Sequence, residues 1–220
     1  MITDIKNICL ALSLVFIGLV GCTPVSTGTK SSKLGTAPKN HVSHKPLLEE
    51  ERERLAHVAH NFVGRSKLKV GKNEFRRDCS GAIRAIFAAA RLRLGGIIKN
   101  NDDNDVKTIY RYVQKYGHII KNNPLPGDLV FFHNTYDRSR NGRLNDALTH
   151  IGMVEKIEGD IVYFVHHLGQ IIIRSRMNLK LPKESFDPKT GKRINHFLRR
   201  AQGRHKAFTA AELFAAFGRL

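Results

Sequence analysis

What this sequence lacks narrows it first. None of its 220 residues belong to an apolar run of the roughly 18 that a membrane-spanning helix needs, so no spanning helix is expected. The longest apolar run, Ile8 to Val20, stands at the N-terminus. Cysteine is scarce, with three in the chain. Acidic side chains are few as well: 19 Asp and Glu face 37 Lys and Arg, for a formal net charge of +18 and a pI near 10.2. Such a surface attracts anionic partners, although part of the charge only solubilises tails and loops. There is no internal repeat. The length and a hydrophobic content of 41% suit one domain with a sizeable core and do not call for a second.

The first residues have the order of an export signal: a weakly basic lead with Lys6, an apolar centre, then Leu19-Val20-Gly21-Cys22. That ending resembles the lipobox of bacterial lipoproteins, which implies that residues 1–21 are removed and Cys22 is acylated. A lipid there anchors a protein without spanning the bilayer, each buried CH₂ contributing about 0.8 kcal/mol. Thr23 stands where an Asp commonly signals inner-membrane retention, so the expected location is the cell envelope, on the periplasmic face of the outer membrane. Residues 22–46, the lipidated cysteine and a stretch rich in Ser, Thr, Gly, Lys and Pro, read as a tether too polar to bury its own surface. Export also disfavours nucleic acid as the anionic partner and favours the cell wall and lipid head groups. With Cys9 in the leader and Cys22 lipidated, Cys79 is left without an intramolecular partner. A lone thiol in an oxidising setting is either inertly buried or a candidate nucleophile.

Periodicity predicts helices over Leu47 to Val63, from Cys79 to a Gly95-Gly96 stop with Asp78 as cap, and over Val106 to Tyr116 with Asp105 as cap. Strands are predicted at 128–133, 150–157, 161–167 and 170–175, with Glu158-Gly159-Asp160 as a tight hairpin turn. Helices first and strands after give an α+β class with an antiparallel sheet. The tail, residues 204–220, carries a Thr209-Ala-Ala-Glu212 capping-box pattern and apolar Leu213, Phe214, Phe217 and Leu220, and is predicted to form an amphipathic helix. The domain itself is expected over 47–203.

The chemistry concentrates around Cys79. A helix N-terminus favours a thiolate through its free N–H groups. The base would be a histidine oriented through its far nitrogen. His150 opens one predicted strand, and His166 and His167 close its hairpin partner, so Cys79, His150 and His166 can meet at one sheet edge. A thiol activated in this way should label rapidly below neutral pH. The plainer readings are a buried structural thiol and a satisfied core histidine.

These residues lie in longer patterns. Asp78-Cys79-Ser80-Gly81, Pro126-Gly127-Asp128-Leu129-Val130-Phe131-Phe132, Thr149-His150-Ile151-Gly152-Met153-Val154 and Phe164-Val165-His166 together resemble the NlpC/P60 cysteine peptidases, a papain-like family related to the CHAP amidases. The resemblance spans about Leu55 to Arg174. It implies a papain-like α+β fold, Cys79 as nucleophile, His150 as general base, His166 as orienting residue, and Asp78 and Ser80 as substrate-lining positions. It also implies hydrolysis of an amide bond in peptidoglycan stem peptides, with no metal or organic cofactor; a monomer is expected. Alternation along a strand sends His166 and His167 to opposite faces, and the resemblance, not geometry, favours His166. Two alternatives stand beside the endopeptidase: an N-acetylmuramoyl-L-alanine amidase of CHAP type, and a non-catalytic wall-binding lipoprotein. The sequence departs from the family in having no tyrosine between Arg65 and Phe75, where the family has one that helps to bind substrate, and in a long insert from His133 to Leu148. Within that insert, Asp137, Ser139, Asn141 and Gly142 match the first half of a calcium loop, but Leu148 stands where the bidentate acid belongs, which favours a polar turn.

Overall fold

The structure, a computed structural model, describes residues 45–95, 104–201, 203 and 205–220. The predicted leader, the predicted lipidation site Cys22 and all but the last two residues of the predicted tether lie outside the described residues. Helix α1, Glu49–Phe62, starts with the Glu51 carboxylate accepting the Leu48 N–H at 2.9 Å. It buries Leu55, Ala56, Ala59 and Phe62, one stripe at helical spacing.

Helix α2, Cys79–Ala89, is capped by Asp78, whose side chain accepts the Gly81 N–H at 2.8 Å. It ends earlier than the predicted Gly95-Gly96 stop. Arg91 takes the left-handed conformation at φ 57°, Leu92 N–H bonds Phe87 O at 2.9 Å, and Arg91 N–H bonds Ala88 O at 3.1 Å. That is a Schellman ending with arginine in the position usually given to glycine, so no glycine marks it in the sequence. Helix α3, Asp105–Tyr116, takes Asn104 as its cap in place of the predicted Asp105; Asn104 Oδ1 accepts the Lys107 N–H at 2.7 Å. Among the described residues no helix is long and apolar enough to cross a membrane.

Strands β1 (Lys69–Val70) and β2 (Asn73–Glu74) form a small hairpin ahead of α2. The main sheet holds β3 (His118–Ile120), β4 (Leu129–Phe132), β5 (His150–Glu158), β6 (Ile161–Leu168), β7 (Ile171–Asn178) and β10 (Phe214–Arg219), in the order β3-β10-β4-β5-β6-β7 and antiparallel throughout. Strands β8 (Phe197–Arg199) and β9 (Phe208–Thr209) pair separately. The architecture is α+β.

Both faces of the sheet are buried, and β4 shows the division. Leu129 and Phe131 pack with the helices, alongside Ile83, Ile86, Ile151, Met153 and Val165. Val130 and Phe132 point the other way, onto Val154, Phe164, Met177, Leu213 and Phe217. This is the period-2 alternation of a strand buried on both sides.

The C-terminal segment is not the predicted amphipathic helix. The capping-box bonds do form: Thr209 Oγ1 accepts the Glu212 N–H at 3.1 Å and Glu212 Oε2 accepts the Thr209 N–H at 2.9 Å. They close a single turn. The next residues fill the slot between β3 and β4, where Ala215 joins the helix-side core and Phe217 the opposite one. A strand pairing on both edges satisfies its backbone completely, which a surface helix of this length does not improve on. Gly218 allows the close fit, since a Cβ there would meet Phe131 at 2.8 Å and Val113 at 3.0 Å. Arg219 then clamps the buried Asp128 carboxylate at 2.7 Å. The tail therefore lies in the same compact unit as the rest of the described chain.

Candidate active site

Cys79 is the first residue of α2, and its surroundings are set by the three residues around it. Asp78 accepts the Ser80 hydroxyl at 2.8 Å and is bonded by Arg76, which also reaches Asp105 at 3.0 Å. Burial alone would raise the Asp78 carboxyl; the Gly81 N–H, the Ser80 hydroxyl and Arg76 outweigh it and hold it below the usual carboxylate range. Gly81 has no alternative, because a Cβ there would stand 1.9 Å from the Arg76 carbonyl oxygen. The Asp-Cys-Ser-Gly run is thus a helix start folded tightly against the chain that leads into it.

Asp78, Cys79 and Ser80 open onto a cavity of about 370 Å³ whose walls also include His150, His167 and Tyr136. His150 begins β5, with its ring against Phe132. Its Nε2 lies 2.9 Å from His166 Nδ1, and His166 Nε2 lies 2.9 Å from Ser175 Oγ on β7. His166 is buried behind His150 and does not line the cavity, whereas His167, on the opposite face of β6, does. The structure therefore brings His150 and His166 together and gives His167 a separate place.

The relay has one proton arrangement that suits a base. If His150 Nε2–H donates to His166 Nδ1 and His166 Nε2–H donates to Ser175 Oγ, His150 Nδ1 carries a bare lone pair. With Nε2 engaged, Nδ1 is the nitrogen left to exchange a proton with Cys79. No hydrogen bond joins Sγ to the His150 ring, although both line one cavity.

The electrostatics run against the expectation of a preformed thiolate. Burial pushes the Cys79 thiol up to about 11, and the nearby Asp78 charge adds to the rise; backbone N–H groups, that of Ile151 foremost, pull the other way without prevailing. Burial, reinforced by the neighbouring His167, holds His150 down at about 4. Burial, then the adjacent His150, keeps His166 well below the ordinary imidazole range. The resting pair is a neutral thiol beside a neutral imidazole.

Several site residues carried no signal in the sequence. Ser175 is a buried serine inside a strand and becomes visible only through its contact with His166. Tyr136 belongs to the insert, whose base is pinned by Thr135 N–H to Thr149 Oγ1 at 2.9 Å and Asp146 N–H to Asn134 Oδ1 at 2.7 Å. The calcium-like oxygens of that insert face its own backbone: Asp137 accepts the Gly142 N–H at 2.8 Å, and Asp146 accepts the Arg138 N–H at 3.0 Å. His133 is a loop anchor whose Nδ1 accepts the Leu148 N–H at 3.0 Å.

Comparison with known proteins places this architecture. No curated protein matches the chain significantly. Among solved structures, a Staphylococcus aureus protein similar to lipoprotein, of the NLP/P60 family, shares 22% identity over 60% of this chain and 38% of its own, with a TM-score of 0.34. The present chain thus spans well under half of that protein's length. The model of the NlpC/P60 family matches residues 64–187, more than half of the chain. That stretch contains the Asp-Cys-Ser-Gly helix start and the strands bearing His150 and His166, and the chain belongs to the NlpC/P60 family.

Proposed function

We propose that this chain is a cell-wall hydrolase that cleaves an amide bond within peptidoglycan stem peptides, with Cys79 as nucleophile, His150 as base and His166 as the residue that orients it. Membership of the NlpC/P60 family points to cell-wall peptidase or hydrolase activity in general. The observation that carries the sharper reading is the cavity shared by Cys79 and His150, with the His150 ring held from behind by His166 at 2.9 Å.

In this reading the thiol attacks the amide carbonyl as its proton passes from Sγ to His150 Nδ1. The resulting imidazolium donates that proton to the leaving amine, and a thioester to Cys79 remains. Water, deprotonated by His150, then releases the acyl product and restores the thiol. His166 and Ser175 keep the imidazole in the tautomer that makes this order of transfers work. Lipid on Cys22 would hold the enzyme at the cell envelope, on the periplasmic face of the outer membrane, and the positive chain would favour the anionic wall.

Digestion of purified sacculi tests the proposal, with Cys79→Ala alongside and mass spectrometry of the products. Fragments cut within the stem peptide, absent with Cys79→Ala, are expected. Release of whole stem peptides would make the enzyme an amidase, and no release by a folded chain would refute hydrolysis.

A further inference from the structure

One wall of the Cys79 cavity holds groups that the proposed chemistry leaves unused. The charged residues that line it are Arg76, Arg77, Asp78 and Asp105. Three of them satisfy one another, because Arg76 bonds both Asp78 and Asp105. The remaining Asp78 oxygen positions are taken by the Ser80 hydroxyl and the Gly81 N–H. Arg77 is different: it is exposed, and among the described residues it has no ion pair or hydrogen bond. His167 lines the same cavity, is 5% exposed, and has a buried Nε2 with no hydrogen-bond partner. Arg77 is close enough to lower the His167 pKa further, after burial and against the opposing pull of Asp78.

An arginine fork with no internal partner is a ready receptor for a planar anion, and its paired N–H donors match a carboxylate. A buried imidazole nitrogen without a partner is costly, and a ligand that supplies the partner recovers that cost. Arg77 and His167 both line the cavity that contains Cys79. Counting Arg77, the lining sets two arginines against two carboxylates, so an anion meets no net negative charge there.

We propose that Arg77 and His167 form a carboxylate subsite, so that the chain takes peptides bearing a free carboxylate near the bond presented to Cys79. This deepens the hydrolase reading and rests on it for the identity of the peptide. Glutamate and diamino-acid residues of stem peptides carry such carboxylates, and chemical amidation removes the charge while keeping the shape. Recognition then separates free-acid stems from amidated ones.

The test uses the full chain in detergent carrying Cys79→Ala, so that binding is read without turnover. A synthetic stem tetrapeptide is titrated in its free-acid form and with every carboxylate amidated. The free acid is expected to bind about tenfold more tightly, a size typical of one charge-assisted contact at a partly exposed site. Adding Arg77→Gln should bring the two within about twofold, and Arg77→Lys should keep part of the preference, because the charge stays and the fork goes. His167→Gln, which retains a side-chain N–H donor, should preserve more of the preference than His167→Leu. Equal binding of the two peptides, no binding of either, or a preference that survives Arg77→Gln would overturn the subsite. Turnover of both peptides is followed in parallel with Cys79 intact. Hydrolysis without a free-acid preference sinks the subsite alone, and an Arg77-dependent preference without hydrolysis sinks the hydrolase reading alone.

Discussion

The neutral Cys79–His150 pair makes a quantitative prediction about thiol reactivity. The thiolate is the form that alkylates. With the thiol pushed up to about 11, thiolate at pH 7 is about one part in 10⁴, against a few per cent for a free cysteine near 8.5. That is a deficit of roughly 300-fold. A more basic thiolate is also a better nucleophile, and a Brønsted slope of about 0.4–0.5 over this interval returns roughly tenfold. The folded chain should therefore react with iodoacetamide at pH 7 roughly thirtyfold more slowly than the chain unfolded in guanidinium.

The two states should also differ in shape. The unfolded rate levels off above about pH 8.5, while the folded rate goes on climbing tenfold per pH unit toward the thiol's pKa. Alkylation of Cys79 followed by intact-mass spectrometry across pH 6–9 measures both curves; in the mature chain a lipidated Cys22 would not compete. A folded rate faster than the unfolded one at pH 6, and flat from pH 6 to 8, would show a standing thiolate–imidazolium pair. Desolvation of Cys79 would then not outweigh the Ile151 N–H.

Two further outcomes follow from the same structure. His150 titrates at about 4 when folded and near 6.5 when unfolded, so below pH 6.5 the unfolded chain takes up the proton first; stability should fall by roughly 3 kcal/mol between pH 6.5 and 4, and His166 should add to it, as thermal melts of wild type against His150→Gln would measure. Arg219→Met leaves the fully buried Asp128 carboxylate without its bidentate partner; urea unfolding should show a loss of about 2–4 kcal/mol, at the lower end because Arg219 is partly exposed, with part recovered in Arg219→Met/Asp128→Asn, and a shift below about 0.5 kcal/mol would count against the C-terminal strand.

The parts of the fold that were legible in the sequence are those in which local pattern and tertiary role agree. The β5–β6 hairpin carries its turn residues and its alternating apolar positions on the page, and the structure starts β5 at the expected His150 and β6 at the expected Ile161. Asp78 announces α2 because a cap acts within three residues. The misreadings arise where a distant partner decides. Phe214, Phe217 and Leu220 have helical spacing, but the slot between β3 and β4 selects a strand, and the capping box of Thr209 and Glu212 survives only as a turn. The end of α2 was hidden because Arg91, not a glycine, adopts the left-handed conformation. At the site, the motifs singled out Cys79, His150 and His166. Ser175 and Arg77 were silent, since a serine in a strand and an arginine before a cap have no pattern of their own; each gains meaning from what stands across from it.

The two histidines at the end of β6 show why strand alternation matters to the chemistry. His166 shares its face with Phe164, whose ring lies 5.0 Å away, and can reach only the back of His150. His167 faces the helix side, where Cys79 packs against the core. Moving β6 by one residue would put either His167 behind His150 with Leu168 at the cavity, or His166 at the cavity with Val165 behind His150. The register is held by pairs such as Met153 with Val165 and Val154 with Phe164, all four buried. A slip would turn these side chains to the wrong cores as well. The same packing that fixes the fold therefore fixes which histidine stands behind His150 and which lines the cavity, and no separate device is needed to tell them apart.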